Sequence, residues 1–248
     1  MRAAVLEQVG VAPTIHDDVE LEAPRATEVV VRVAHCGVCH SDLSVVDGTF
    51  PAPLPVILGH EAAGVVEEVG AGVTLVAPGD RVVLTPCAPC GHCPFCVRGH
   101  PSLCANGDAL ITATHPDGGT RLSRGGEVVH RGLAMAAFAE RVVIQESGVV
   151  PVPDDIPLDV ACLIGCGVQT GVGAVLNTAG VAEGDTVVIF GLGGVGLSVV
   201  QGARLASASR IIVSDPVPER RELALRLGAT DPVDPGDAAV VAAVLDLT

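Results

Sequence analysis

The sequence predicts two successive architectures: a β-rich, barrel-like domain over residues 1–150, then part of a parallel α/β domain over residues 151–248. Three observations carry this. Short valine-rich runs, punctuated by Gly, Pro and Asp, recur through the first part. No helical period of useful length interrupts them there. After Pro151 the pattern changes to strand, helix, strand, helix, the rhythm of a parallel sheet.

Taken in order, the N-terminal strands are expected at Ala3–Leu6, Glu28–Val33, Gly64–Val69, Arg81–Leu84 and Glu140–Ile144, where β-branched side chains suit a pleated surface. Turn residues such as Ala77-Pro78-Gly79-Asp80 separate them. Residues 105–132, with Asp117-Gly118-Gly119 and Arg124-Gly125-Gly126, read as a polar surface excursion, either filler or a lid. Residues 160–177 suit a packed helix, bent where Gly165 and Gly167 flank Cys166. Thr186–Phe190 is a continuous apolar strand, as in a sheet covered on both faces. A helix to about Ala206, a strand Arg210–Ser214 and a helix Pro218–Leu227 follow, the last stopped by Gly228.

Composition excludes some functions. The 248 residues are 49% hydrophobic, enough to bury real cores. Trp and Tyr are absent and the formal net charge is −15, which argues against nucleic acid or an anionic membrane surface as partner. No uninterrupted apolar stretch is long enough to span a bilayer, and the start, Met1-Arg2-Ala3-Ala4-Val5-Leu6-Glu7, is unlike a signal peptide. A cytoplasmic location is therefore expected. In that reducing setting nine cysteines point to metal or catalysis rather than disulfides.

The stretch Cys36-Gly37-Val38-Cys39-His40-Ser41-Asp42-Leu43 places a thiol, an imidazole, a hydroxyl and a carboxylate in consecutive positions on an expected loop after a strand. With His60 and Cys166, Cys39 would supply two thiolates and an imidazole, a metal set that leaves one position open. Cys36 and Cys162 read as small buried hydrophobes. Cys90, Cys93, Cys96 and Cys104 have the spacing of a closed four-thiolate zinc site, which is structural because no ligand position remains. Cys87 is a fifth candidate outside the regular spacing. His92 and His100 read as solvated loop residues.

Gly191-Leu192-Gly193-Gly194-Val195-Gly196 fits G-x-G-x-x-G between a strand and a helix, and Asp215 ends the next strand about 20 residues on. The glycines admit a pyrophosphate to the helix N-terminus. Asp215 can accept from a ribose 2′-hydroxyl and would repel a 2′-phosphate, which favours NAD, although Arg220 and Arg221 stand nearby.

Together these motifs resemble the zinc-containing, medium-chain alcohol dehydrogenase family. Gly37-to-Asp42, Gly59-His60-Glu61, the four cysteines, Gly165-Cys166-Gly167 and Gly191-to-Gly196 come in the family order. The longer loop after Cys104 is similar to the branch of animal-type alcohol dehydrogenases and thiol-dependent formaldehyde dehydrogenases. The resemblance implies a GroES-like catalytic domain, an incomplete Rossmann domain, two zinc ions per chain and NAD. It implies that Cys39, His60 and Cys166 bind the catalytic zinc, the donor set of alcohol dehydrogenase zinc. Asp42 would orient His60, Glu61 would lie behind the metal, and Ser41 would start the proton's path. His40, Thr170, Val195, Asp215 and Arg220 would lie near the cofactor, with the glycines Gly191, Gly193, Gly194 and Gly196.

The reaction implied is hydride transfer between a small alcohol and NAD, reversible to an aldehyde or ketone, with zinc as Lewis acid. Ser44 stands where many relatives carry a relay histidine. Only the first mononucleotide half of the nucleotide-binding fold is expected here. The full-length parent is expected to be a homo-oligomer, and a non-catalytic zinc-binding fragment is the rival reading.

Overall fold

The computed structural model describes residues 1–86, 88–236 and 240–248, so Cys87 lies outside the described residues. The chain forms two compact units, Met1–Cys166 and Gly167–Thr248.

The first unit is built on a five-stranded antiparallel sheet. Its strands run in the order Arg141–Gln145, Glu28–Gly37, Glu61–Val69, Arg81–Leu84 and Val149–Pro151. Alternate residues Val29, Val31, Ala62, Val66, Val82, Val142 and Ile144 enter one apolar cluster with Leu84 and Met135. Burying each such side chain contributes roughly 1.5–3 kcal/mol. A second sheet, in the order His130–Arg131, Val56–Ile57, Ala3–Leu6, Thr14–His16, packs a separate cluster around Val5, Ile57, Leu122 and Val129.

The long strand Glu28–Gly37 pairs with Glu61–Val69, with register shifts at Val30/Val31 and Val33/His35. Such shifts increase local twist and re-aim side chains. The strand runs on to Gly37, beyond the Val33 expected, because its pairing with Glu61–Ala63 continues past the valines. Residues 36–43 are correspondingly not a loop. Cys36 and Gly37 end the strand, and His40–Val46 is a helix with Cys39 at its N-cap. A seven-residue helix is too short to carry a readable period.

Residues 105–132 are more ordered than a surface excursion. They hold short helices at 101–112, a hairpin of Leu122–Arg124 with Glu127–Val128, and the buried side chains of His115, Arg121 and Val129. Arg121 grips Glu28 through Nε–Oε2 (3.1 Å) and Nη2–Oε1 (2.7 Å), and both side chains are 1% exposed. Glu28 opens the long strand whose other end leads to Cys39, roughly 30 Å away at strand rise. The Asp117–Arg121 turn is therefore anchored far from Cys39 and is not a lid over it. Segment 151–166 completes this unit. The helix Leu158–Ala161 and the turn Cys162–Gly165 pack on the strands Glu28–Gly37, Glu61–Val69 and Arg81–Leu84.

The second unit has a three-stranded parallel sheet, ordered Thr186–Phe190, Arg210–Ser214, Asp231–Val233. The helices Gly194–Leu205 and Pro218–Leu227 match the expected spans, and Gly228 sits at φ +120° beyond the second. Val175, Ile189, Leu192, Val200, Ile211 and Val213 form its core. Thr186–Phe190 is less covered than its apolar sequence implies: only Ile189 is buried, and Phe190 is 69% exposed. Among the described residues no single helix is long and apolar enough to cross a membrane.

Arg121→Met would leave the Glu28 carboxylate buried without its guanidinium. The expected loss is about 3–5 kcal/mol of unfolding free energy, read from a urea titration. A loss below about 1 kcal/mol would show that the pair anchors nothing.

Candidate metal centres and nucleotide loop

Two clusters of metal-ligating groups lie in the first unit. One ligand atom each from Cys39, His60 and Cys166 lies within 4.8 Å of the others, and the same holds for Cys90, Cys93, Cys96 and Cys104. The fold thus brings together both sets expected from sequence. Cys39 is delivered by the helix N-cap, His60 by the residue before the strand Glu61–Val69, and Cys166 by the break after the turn Cys162–Gly165.

Asp42 organises the first cluster. Its carboxylate is 2% exposed and accepts from Cys39 N (Oδ2, 3.0 Å) and Gly59 N (Oδ1, 2.9 Å). His60 Nδ1 lies 3.3 Å from Oδ1. A proton on Nδ1 completes that contact and leaves Nε2 to face the cysteines. Burial works against a charged His60 ring, but Asp42 and the Cys166 sulfur outweigh it and push the pKa up to about 11. Cys39 is also desolvated, yet the hydrogen bonds of Ser41 and the neighbouring His60 bring its thiol below the usual range.

Ser41 Oγ is 3.7 Å from Cys39 Sγ and exposed. Glu61, next in the chain to His60, is 7% exposed. A carboxylate buried beside His60 suits a site that takes a cation. Gly37 makes room for it: a Cβ there would stand 2.4 Å from Glu61 Oε2. Cys36 lies beside it, accepts from the Glu61 N–H, and burial pushes its thiol up to about 12. It is a protonated neighbour, as expected of a small buried residue.

In the second cluster backbone N–H groups point at sulfur: Cys93 N to Cys90 Sγ (3.3 Å), and Cys90 N and Asn106 N to Cys104 Sγ (3.2 and 3.4 Å). The N–H groups of Ala105 and Cys96 bring Cys93 down to about 6. All eight described cysteines are free. Four convergent sulfurs with backbone donors fit a closed tetrahedral metal shell. His92 is exposed and bonded to the Cys90 carbonyl, outside the ligand set.

In the second unit Gly191 adopts φ +86°, and a Cβ on Gly196 would stand 1.8 Å from the Gly191 carbonyl oxygen. Glycine is required at both positions. Gly193 caps the helix that begins at Gly194, and Val195 is exposed beside it. Asp215 is buried, accepts from Leu192 N (2.7 Å) and Val217 N (2.9 Å), and lies 3.6 Å from Arg220. Those backbone donors, with Arg220, hold its carboxyl below the usual range. Asp215 thus ties the glycine loop to the end of the neighbouring strand. His40 and Thr170 are both exposed.

Comparison with known proteins bears on these sites. Residues 25–154 match the family model described as alcohol dehydrogenase GroES-like domain, and residues 194–248 match zinc-binding dehydrogenase. The chain belongs to the zinc-containing alcohol dehydrogenase family. It is 42% identical over 247 residues to an NDMA-dependent alcohol dehydrogenase of Amycolatopsis methanolica, covering all of this chain and 66% of that one. It is 45% identical over 226 residues to an S-(hydroxymethyl)glutathione dehydrogenase of Escherichia coli, covering 89% and 60%. A zinc-binding alcohol dehydrogenase domain protein of Burkholderia ambifaria superposes with a TM-score of 0.94 at 43% identity. Benzyl alcohol dehydrogenase of Acinetobacter calcoaceticus does so at 0.92 and 35%. Both superpositions cover all of this chain and 67% of the other. The chain spans 60–66% of the length of the two sequence relatives.

Within this dehydrogenase fold, sequence reasoning missed the Glu28–Arg121–Asp117 network and the Gly59 N–H that pins Asp42. A lone glutamate opening an otherwise apolar strand was the available signal for the first. Asp42→Asn should keep the shape but weaken the hold on His60. The expected effect is roughly 10–100-fold weaker zinc binding at one of two sites, measured by chelator competition, with the four-cysteine site as internal reference.

Proposed function

We propose that this chain carries the metal site and nucleotide-phosphate loop of an NAD-dependent, zinc-dependent alcohol dehydrogenase acting on small alcohols and the corresponding aldehydes or ketones. The observation that carries the proposal is the convergence of Cys39, His60 and Cys166, with Asp42 holding the imidazole. When bound, a zinc ion would supply Lewis acidity to an alcohol oxygen and a nicotinamide nucleotide would supply the hydride acceptor.

The chain's own residues have the following parts. Cys39, His60 and Cys166 hold the metal with one position open, and Asp42 fixes the tautomer and angle of His60. Ser41, exposed beside Cys39, accepts the hydroxyl proton of the alcohol and hands it to solvent; Ser44 offers no imidazole to extend that path. Glu61 supplies negative charge behind the metal. Gly191, Gly193, Gly194 and Gly196 let a pyrophosphate approach the helix N-terminus. Asp215 faces the adenosine ribose, while Arg220 neutralises part of its charge. His40 assists at the pyrophosphate, and Thr170 and Val195 border the nicotinamide. Cys90, Cys93, Cys96 and Cys104 hold a second, structural zinc.

The 45% identity to an S-(hydroxymethyl)glutathione dehydrogenase supports one alternative substrate, a thiol adduct of formaldehyde. NADH formation by zinc-loaded protein, with alcohols and with formaldehyde plus or minus a low-molecular-weight thiol, separates the two. Turnover on alcohols supports the main reading, and turnover only with the thiol supports the alternative. Silence from this chain, together with turnover by a version carrying the remaining length of its relatives, would make it a non-catalytic piece.

Elemental analysis should find two zinc ions per chain, and Cys104→Ser should reduce that to one. Asp215→Asn keeps an acceptor for one of Leu192 N and Val217 N and removes the charge. It should move the NAD-over-NADP preference toward NADP by roughly 10-fold or more, as expected for a charged hydrogen bond. An unchanged ratio would remove Asp215 from the specificity determinants.

A further inference from the structure

One buried charge in the first unit lacks a counter-charge. Arg131 ends the short strand His130–Arg131 and is 4% exposed. Among the described residues its hydrogen bond is from Nη1 to the Thr114 carbonyl at 3.3 Å, and no carboxylate pairs with it. The nearby acids are already committed. Glu28 accepts from Arg25 N (2.9 Å), Arg121 Nε (3.1 Å), Arg121 Nη2 (2.7 Å) and Gln145 Nε2 (3.2 Å). Those four donors fill the acceptor positions of a carboxylate. Asp117 is bound by Arg121 at 2.6 Å and by Arg25.

His115 does not help. It is fully buried, 3.5 Å from Glu28 Oε1, and neither ring nitrogen makes a hydrogen bond. Burial, with the charges of Arg131 and Arg121, pushes its pKa down to about 2, so it is neutral. Arg131 is itself lowered by burial to about 10 and stays charged at neutral pH. Among the fully buried side chains Glu28 thus meets two guanidinium groups, and one positive charge is left over.

That charge borders a cavity. Arg131 lines a space of about 20 Å³ with Asn106, Gln145 and the apolar Ala134 and Ile144. A cavity needs roughly 10–15 Å³ to hold one small particle. Asn106, Pro116 and Gln145 also line a larger neighbouring cavity of about 620 Å³. We propose that the Arg131 cavity is a binding site for one small monovalent inorganic anion, a halide, paired with the guanidinium. A doubly charged oxyanion would lose more hydration against the apolar walls than a halide. The anion would lock the 105–132 segment onto the long strand by completing the charge balance of the Glu28–Arg121 network.

The test is the thermal midpoint of the zinc-loaded protein as bromide replaces gluconate at constant ionic strength. A ligand that binds only the folded state raises the midpoint with its concentration. Wild type should rise, and Arg131→Met should stay flat. An equal rise in both would place the bromide elsewhere, including at the open metal position, and overturn the proposal. No rise in wild type would mean that the cavity holds water and would also overturn it. If the variant fails to fold, anomalous scattering from bromide-soaked wild-type crystals decides. A peak against the Arg131 guanidinium is expected, and peaks only at other positions would refute the site.

Discussion

Asp42 is the carboxylate on which the candidate catalytic centre depends. It lies on the helix that follows the long strand, yet it holds Cys39, Gly59 and His60 through three contacts. The cysteine and the histidine come from segments about 20 residues apart, and the same side chain sets both positions. Because Asp42 is buried, its charge acts in a low dielectric and is not screened by water. The His60 ring is turned toward the sulfurs before any metal arrives. The cost of burying an acid is offset by two backbone N–H donors and the imidazole it orders.

The rest of the first unit supports that arrangement from a distance. The long strand carries a polar anchor at each end: Glu28 with Arg121 at one, Cys36 and Gly37 beside Glu61 at the other. Between them lies an apolar stretch that packs into the core. Segment 105–132 and the four-cysteine lobe belong to the Glu28 end, and the three-ligand site belongs to the Cys39 end. One end of this sheet is thus a structural staple, and the other carries the convergent Cys39, His60 and Cys166.

The second unit uses the same device in smaller form. Asp215 holds the Leu192 N–H and so fixes the glycine loop against the neighbouring strand. The carboxylate proposed for a ribose is thus also a structural pin for the glycine loop. The exposed Phe190 and the thinly covered strand Thr186–Phe190 show a sheet with one apolar edge uncovered.

Sequence alone determined the strands Thr186–Phe190 and Arg210–Ser214 and the helices that follow them, because continuous apolar runs bounded by glycine and proline are local signals. The four closely spaced cysteines are a local signal of the same kind, whereas Cys39, His60 and Cys166 show no local spacing and are grouped through the family resemblance. What only tertiary structure decided is which distant groups meet. Glu28 reads in sequence as the first residue of a valine strand, and Arg121 as part of a polar loop. Their pairing is a contact across 93 positions that no local pattern encodes. The short helix at His40 was equally illegible, because seven residues hold too few turns for a period and its start is set by the Asp42 contact with Cys39. Local sequence specifies elements and donors; the buried charges, which have to find partners anywhere in the fold, specify how those elements lock together.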